Sequence, residues 1–390
     1  LMPSVPMEST QTLQKNYHKI DVDFGDALVP ADPLLDIKLL FSIVGGSQNI
    51  AIQIIPWPGQ AKYYPKFSLL TQPFEPQRFK FLKVDKVNNI ISIEPGDWTI
   101  RSDLVIPSGY LFSIGPDVKL NLVNSAAIIS YSPLKFLGTA QQPIQIYSSD
   151  HTGQGVSVLN APHLSVLRFV HFKDMSAPHR SGWELTGAVT FYQSDVEMTD
   201  LIFNKNHAGD DLVNIIRSKF SISQTQFRNS IADALDVDFS EGLIKDSLFI
   251  YCGTEDGNGD CIDLSGSDIV IQGVEIRNAG DKSLSVGERS TVKLQNSSIK
   301  DSNIAIASKD LSIVNINQLL ISSVNYGFVA YQKKSEFGPG EINSQNHSLT
   351  DVGLLHLIEK GSTLILDSEI INGAITGVKN KILPNPLTIN

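Results

Sequence analysis

GDDLVNI (residues 209–215), ADALDVD (232–238), GDCIDLS (259–265), GDKSLSV (280–286) and SNIAIAS (302–308) are variants of one phrase, a polar turn running into a short alternating strand. Its apolar strand position recurs at Val213, Leu235, Ile262, Leu284, Ile306 and Val329, in steps of 22, 27, 22, 22 and 23 residues. A second series, Phe203, Phe227, Phe249, Ile276, Ile299 and Ile321, keeps the same beat with steps of 24, 22, 27, 23 and 22. Two strand positions that recur together mark one structural unit wound repeatedly. A unit this short cannot bury a face alone and draws its core from stacking on its neighbours. The repeat therefore predicts a parallel β-solenoid, all-β, with coils of about 22–24 residues.

Parity inside each coil separates core from surface. In ADALDVDFS (232–240) Leu235, Val237 and Phe239 are expected inside, and Asp236 and Asp238 outside. The same parity predicts an outward column of Asn214, Asp263, Ser285, Ala307 and Ala330, and a neighbouring one of Ile216, Asp238, Ser265, Gly287, Lys309 and Gln332. Tyr331 falls on inward parity. Helical periodicity is almost absent, so little α-helix is expected.

Residues 1–89 have a different texture. KIDVDF, DIKLLFSIV and NIAIQIIPW read as strands of a small β unit, followed by the connector GQAKYYPKFSLLTQPFEPQRFKFL. The apolar stretch Leu39–Ile55 is broken by GGSQN, which makes it a hairpin rather than a membrane span. The first ten residues carry no basic n-region or cleavage pattern, so no signal peptide is read there. The division is an N-terminal β domain or cap at 1–89 and a solenoid with C-terminal tail at 90–390.

From about Ile90 the strands are separated by Pro-Ser-Gly, Gly-Pro-Asp and Gly-Thr turns, as in DLVIPSGYLFSIGPDVKLNL (103–122) and AAIISYSPLKFLGTAQQPIQIYSSD (126–150). These phrases resemble the opening coils of right-handed parallel β-helix proteins of the pectate-lyase-like superfamily, and GDDLVNI to SNIAIASKD resemble later ones. The resemblance covers roughly residues 90–375 and extends to bacterial surface or secreted β-helix proteins. It implies a right-handed parallel β-helix, a location outside the cell or on its surface, and a polysaccharide or surface glycan as partner.

The residues suited to chemistry gather in the repeated strands. Adjacent coils lie about 4.8 Å apart and same-face neighbours on one strand about 6.5–7 Å apart, so Asp236, Asp238 and Asp263 should cluster. Carboxylates that close either raise a pKa or recruit a cation. The first outcome suits glycosidic hydrolysis by an acid and a base, and the second suits Ca²⁺ holding an acidic sugar during lyase chemistry. Arg217, Lys282 and Lys309 are the basic candidates near this patch, and Asp210, Asn214 and Glu288 are candidate substrate contacts. Asp211, Asp233, Asp260 and Asp281 recur at the turn itself, where capping of backbone amides is the ordinary role.

Of the polygalacturonase-like motifs only Gly209-Asp210-Asp211 has a counterpart. The companion Asn-Thr-Asp, Gly-His-Gly and Arg-Ile-Lys motifs are missing, which argues against that activity. In the lengthened coil, Asp256, Asn258 and Asp260 repeat the alternating oxygen donors of a Ca²⁺ loop, but Ser267 stands where its distal Glu belongs. No zinc-type Cys/His spacing, P-loop or dinucleotide fingerprint occurs.

Bulk properties narrow the class. Apolar residues make up 42%, enough for a folded core, and the formal charge of −10 without a basic stripe excludes a nucleic-acid partner. Cys252 and Cys261 flank GTEDGNGD, either as a bridge that points to an oxidising compartment or as two free thiols. The readings carried forward are a polysaccharide lyase or glycoside hydrolase, a non-catalytic glycan-binding adhesin, and a structural surface segment. Nothing in the sequence sets the oligomeric state.

Overall fold

The computed structural model describes residues 38–42, 49–53, 73–180, 183–253 and 258–382. The main body is a right-handed parallel β-helix of about 11 turns with about 24 residues each. One coil contributes the strands Lys219–Ser223, Gln226–Ser230 and Asp233–Asp238, one to each of three faces. The next coil lays Glu241–Lys245, Leu248–Cys252 and Ile262–Ser265 on them in parallel register.

The two sequence series are core ladders. Phe203, Phe227, Phe249, Ile276, Ile299 and Ile321 lie in direct register on the second face. Within that ladder Phe172, Phe203, Phe227 and Phe249 stack with ring centroids 5.0, 5.0 and 4.4 Å apart, close to the spacing of the strands that carry them. On the third face Val213, Leu235, Ile262, Leu284 and Ile306 pair in sequence.

The parity reading needs two corrections. Ile306 pairs with Phe328 and not with Val329, so in that coil Phe328 and Ala330 enter the core while Val329 and Tyr331 point outward. A coil shorter by one residue than the reading allowed exchanges every inside and outside position. Phe239, expected inside, is 42% exposed. Its strand ends at Asp238, and a left-handed residue with φ 49° turns the corner and ends the alternation.

That corner is stitched by a serine ladder. The backbone N–H groups of Ser218, Ser240, Ser267 and Ser290 each donate to the hydroxyl of the serine one coil on, Ser240, Ser267, Ser290 and Ser312, at 3.1, 3.0, 2.9 and 3.1 Å. Bends would otherwise leave buried amides unpaired, and short hydroxyl side chains answer them locally. The 27-residue coil closes because Gly259 runs against the backbone of Ala232, where a Cβ would come within 2.4 Å. Cys252 and Cys261, both fully buried, form a disulfide beside it.

Both ends of the first face finish in antiparallel strands, Leu82–Asp85 on Ile90–Ile93 and Glu369–Asn372 on Thr363–Leu366. Leu82–Asp85, read as the end of the N-terminal unit, thus joins the solenoid, and Phe79 and Phe81 belong to its core. Upstream, Lys38–Ser42 and Asn49–Gln53 pair antiparallel, the hairpin read from the sequence. KIDVDF and most of the connector lie outside the described residues. Among the described residues no helix is long and apolar enough to cross a membrane.

Candidate functional site: a polar window in the third face

The outward side chains of the third face form a ladder that runs Val105, Ile129, Ser157, Thr190, Asn214, Asp236, Asp263, Ser285, Ala307, Val329 and Leu357. It is apolar at both ends and polar in the middle. The N-terminal end is covered by Trp183 and Leu185, which pack with Val105, Ala127, Ile129, Leu159 and Tyr192. The C-terminal end is covered by Val378 and Ile382, which pack with Ile304, Ala307, Val329 and Tyr331. Each cover hides apolar wall from water. What lies between them is a window of hydrogen-bonding side chains.

Two further ladders complete the window. On one side stand Asp211 and Asp233, paired in register, then Asp260 and Lys282. The Asp260 N–H donates to Asp233 Oδ1 at 2.7 Å, and the Lys282 N–H donates to Asp260 Oδ1 at 3.0 Å. Asp233 and Asp260 therefore have the amide-capping role expected of turn aspartates, with their carboxyl groups still facing the window. Asp281 stands outside this ladder and pairs with Lys282 Nζ. On the other side Ile216, Asp238, Ser265 and Gly287 follow in register. Lys309 pairs with Tyr331, so Tyr331 replaces the expected Gln332 in this column.

Asp236 and Asp263 are direct neighbours across adjacent coils, on one wall, as the sequence predicted. Asn214, almost fully buried, aims its amide nitrogen at Asp236 Oδ2 (2.9 Å), Asp211 Oδ2 (3.0 Å) and Thr186 Oγ1 (3.1 Å). Lys309 Nζ donates to Ser285 Oγ at 2.8 Å and lies 3.4 Å from Asp263 Oδ1. Lys282 Nζ lies 3.3 Å from Asp260 Oδ1. Carboxylates thus crowd one half of the window and lysines the other.

This gradient drives the protonation states apart. Burial, then Asp211, Asp238 and Asp263, push the Asp236 carboxyl well above the usual range. Burial, Asp263 and Glu288 push Asp238 up to about 7, and burial pushes Asp211 up to about 7 against the hydrogen bonds of Thr186 and Asn214. Asp233 rises well above the usual range through burial, Asp260 and Asp263. Burial opposes ionisation of Asp263 too, but Lys309, Ser285 and Lys282 outweigh it and hold this group below its ordinary value. Lys282 and Lys309 are pushed upward, because the carboxylates around each outweigh the cost of burial.

The other sequence candidates fall around the window. Arg217 sits on the corner with φ 52°, donates to the Tyr192 hydroxyl at 3.0 Å, and lies over the Tyr192 and Phe239 rings at 5.8 and 6.0 Å. Its guanidinium is thereby engaged in fixing an aromatic wall. Glu288 pairs with Lys334, whose backbone N–H, with that of Lys333, is held by Asp310 Oδ1 at 2.8 and 2.7 Å. Asp210 is exposed at the turn and its carbonyl accepts the Asp233 N–H at 2.9 Å. Asp256 lies outside the described residues, Asn258 is exposed, and Asp260 is paired with Lys282. Asp233 does more than cap a turn: its place opposite Asp211 in the repeat is the sequence signal that it shares the window.

No family model matches the chain, and no curated protein matches it. Among solved structures, the periplasmic alginate epimerase AlgG is similar at 12% identity with a TM-score of 0.46, over 76% of this chain and 82% of that one. An alginate lyase from Paenibacillus sp. str. FPU-7 is similar at 13% identity and TM-score 0.35, over 66% and 93%. The catalytic domain of a GH87 alpha-1,3-glucanase is similar at 13% identity and TM-score 0.38, over 72% and 64%. By its own strand register, the chain is a parallel β-helix protein, as its resemblance to the pectate-lyase-like superfamily implies.

Proposed function

We propose that the window is the active site of a glycoside hydrolase that acts on a polysaccharide outside the cytoplasm. The observation that carries this reading is the placement of neighbouring carboxyl groups in opposite surroundings: Asp236 and Asp238 lie buried among other carboxyls, which pushes both upward, while Asp263 lies 3.4 Å from Lys309 Nζ, which holds it below its ordinary value. Neighbouring acids whose environments drive their pKa values apart supply an acid and a base at one pH. Asp238, pushed up to about 7, gives its proton to the glycosidic oxygen as that bond breaks. Asp263 takes a proton from the water that attacks the sugar carbon. Asp238 and Asp263 are one coil and one strand step apart, about 8 Å at the backbone, a spacing that leaves room for that water and favours inversion.

The same electrostatics weigh against elimination by a lysine base. Lys282 and Lys309 are held protonated by Asp260, Asp281 and Asp263, and a protonated amine abstracts nothing. The formal charge of −10 disfavours the approach of a polyanionic glycan, so a neutral glycan is the substrate class this site accepts without metal. A Ca²⁺-assisted reading keeps one donor set, Asp233, Asp260 and Asp263, whose oxygens lie within 4.8 Å of one another. The buried disulfide supports a compartment outside the cytoplasm.

The test is a screen of neutral and acidic polysaccharides for reducing-end release, with and without chelator, for wild type, Asp238→Asn and Asp263→Asn. Chelator-insensitive cleavage of a neutral glycan, lost in both variants while each still folds cooperatively, is the expected result. Unsaturated products from an acidic glycan would overturn the hydrolase assignment. Binding without turnover, lost in the same variants, would establish the window as a glycan-binding site, the reading that the ion pairs of Lys282 and Lys309 favour.

A further inference from the structure

Away from the window, side chains from three successive coils meet at the corner leading into the third face. His151 precedes the strand Val156–Leu159, Asp174 lies in Val170–Ser176, and His207 lies in Ile202–Ala208. The imidazoles of His151 and His207 stack with centroids 3.9 Å apart and planes at 29°. His207 Nε2 stands 3.1 Å from Asp174 Oδ1. One nitrogen from each ring and one carboxylate oxygen all lie within 4.8 Å of one another. Asp174 and His207 are partly buried and His151 is exposed, so the group is anchored from below and open to solvent above. Lys173 Nζ, 3.1 Å from Asp174 Oδ2, engages the carboxylate oxygen that the histidine leaves aside.

A neutral imidazole offers a nitrogen lone pair to a cation. Two imidazoles and one carboxylate are the three-ligand set that leaves a fourth coordination position open. Donor type decides the ion: nitrogen ligands suit borderline transition metals, whereas Ca²⁺ and Mg²⁺ take oxygen shells. In a tetrahedral site with bonds of about 2.1 Å, ligand atoms are about 3.4 Å apart, which side-chain rotation at the open corner supplies.

We propose that His151, Asp174 and His207 bind a divalent transition-metal ion of the Zn²⁺ class on this corner. The ion ties three coils together across residues 151–207. It also braces one edge of the window, because Asn206, next to His207, points its amide nitrogen at the carbonyl oxygens of Gly209 and Asp211, 3.4 Å from each. The site does not depend on the hydrolase reading.

The experiment is titration of the chelator-stripped full chain with Co²⁺ and then Zn²⁺, followed by calorimetry and by the visible absorption of bound Co²⁺. Expected are one equivalent of Co²⁺ with the bands of a four- or five-coordinate ion, displacement by Zn²⁺, and a melting temperature that rises with Zn²⁺. His151→Ala, at an exposed position, and His207→Gln should each weaken binding at least 100-fold, while Asp263→Asn binds as wild type does. Absence of stoichiometric binding by the folded wild type would overturn the proposal. So would binding that survives both histidine substitutions, or that is lost in Asp263→Asn instead.

Discussion

Lys309 Nζ reaches back past Ser285 to lie 3.4 Å from Asp263 Oδ1, a contact across 46 residues of chain and only two coils of the helix. Lys309 is almost fully buried, so this charge pair is screened little and sets the state of Asp263. Asp263→Asn is expected to lower hydrolysis by 10²-fold or more, the usual size of a lost acid or base. Lys309→Met should move the acid limb of the pH–rate profile upward, because Asp263 then loses the cation that holds it ionised. A profile unchanged in Lys309→Met would show that Asp263 is not the base.

Stability should fall as pH rises toward neutrality. Asp211 and Asp238 titrate near 7 when folded against an ordinary value of 3.8, so the folded chain binds protons that the unfolded chain has released. Their contribution is complete below about 4 and is lost as pH rises through about 7, on the order of a few kcal/mol. Asp263 works oppositely, with a contribution lost as pH falls below 3.8. Thermal melts between pH 5 and 8.5 check this, and Asp238→Asn should flatten the decline. A wild-type melting temperature that climbs over that range would contradict it.

Reduction should loosen the window from behind. The Cys252–Cys261 bridge closes a loop of about ten residues, a constraint of about 2–3 kcal/mol in the chain-entropy account. Cys261 follows Asp260 directly, so a double Cys→Ala variant is expected to melt earlier and to lose more activity than its melting curve explains. Equal melting temperatures with and without reductant would refute the first part.

The phenylalanine stack should carry more stability than any exposed ring. Phe227→Ala, in the middle of the stack and fully buried, is expected to cost about 3–5 kcal/mol. Phe239→Ala, at the exposed corner, should cost about 1 kcal/mol or less. Chemical denaturation of the two variants side by side measures the difference.

The fold was legible because a solenoid writes its geometry into spacing: the ladder from Phe203 to Ile321 could be read residue by residue. The neighbours Asp236 and Asp263 followed from that beat alone. Val329 and Phe239 were misassigned where the beat shifted by one residue or the strand turned a corner, since parity has no memory across a left-handed bend. The covers over the window were not legible. Trp183 and Val378 sit outside the repeat, and nothing in their local sequence says which wall they lie on. The role of Lys309 lay between these cases: its column was read correctly, but its reach over two coils depends on side-chain length and burial.

The position of the two covers has a consequence for how such a chain can vary. Both lie on the same wall as the carboxyl groups, one beyond each limit of the polar stretch, and coils are interchangeable units of rise. A coil added or removed between a cover and the acids would lengthen or shorten the slot by about 4.8 Å and leave Asp236, Asp238 and Asp263 untouched. The length of the polar window in this architecture is thus a counting variable, adjustable by duplication without rebuilding the acidic cluster.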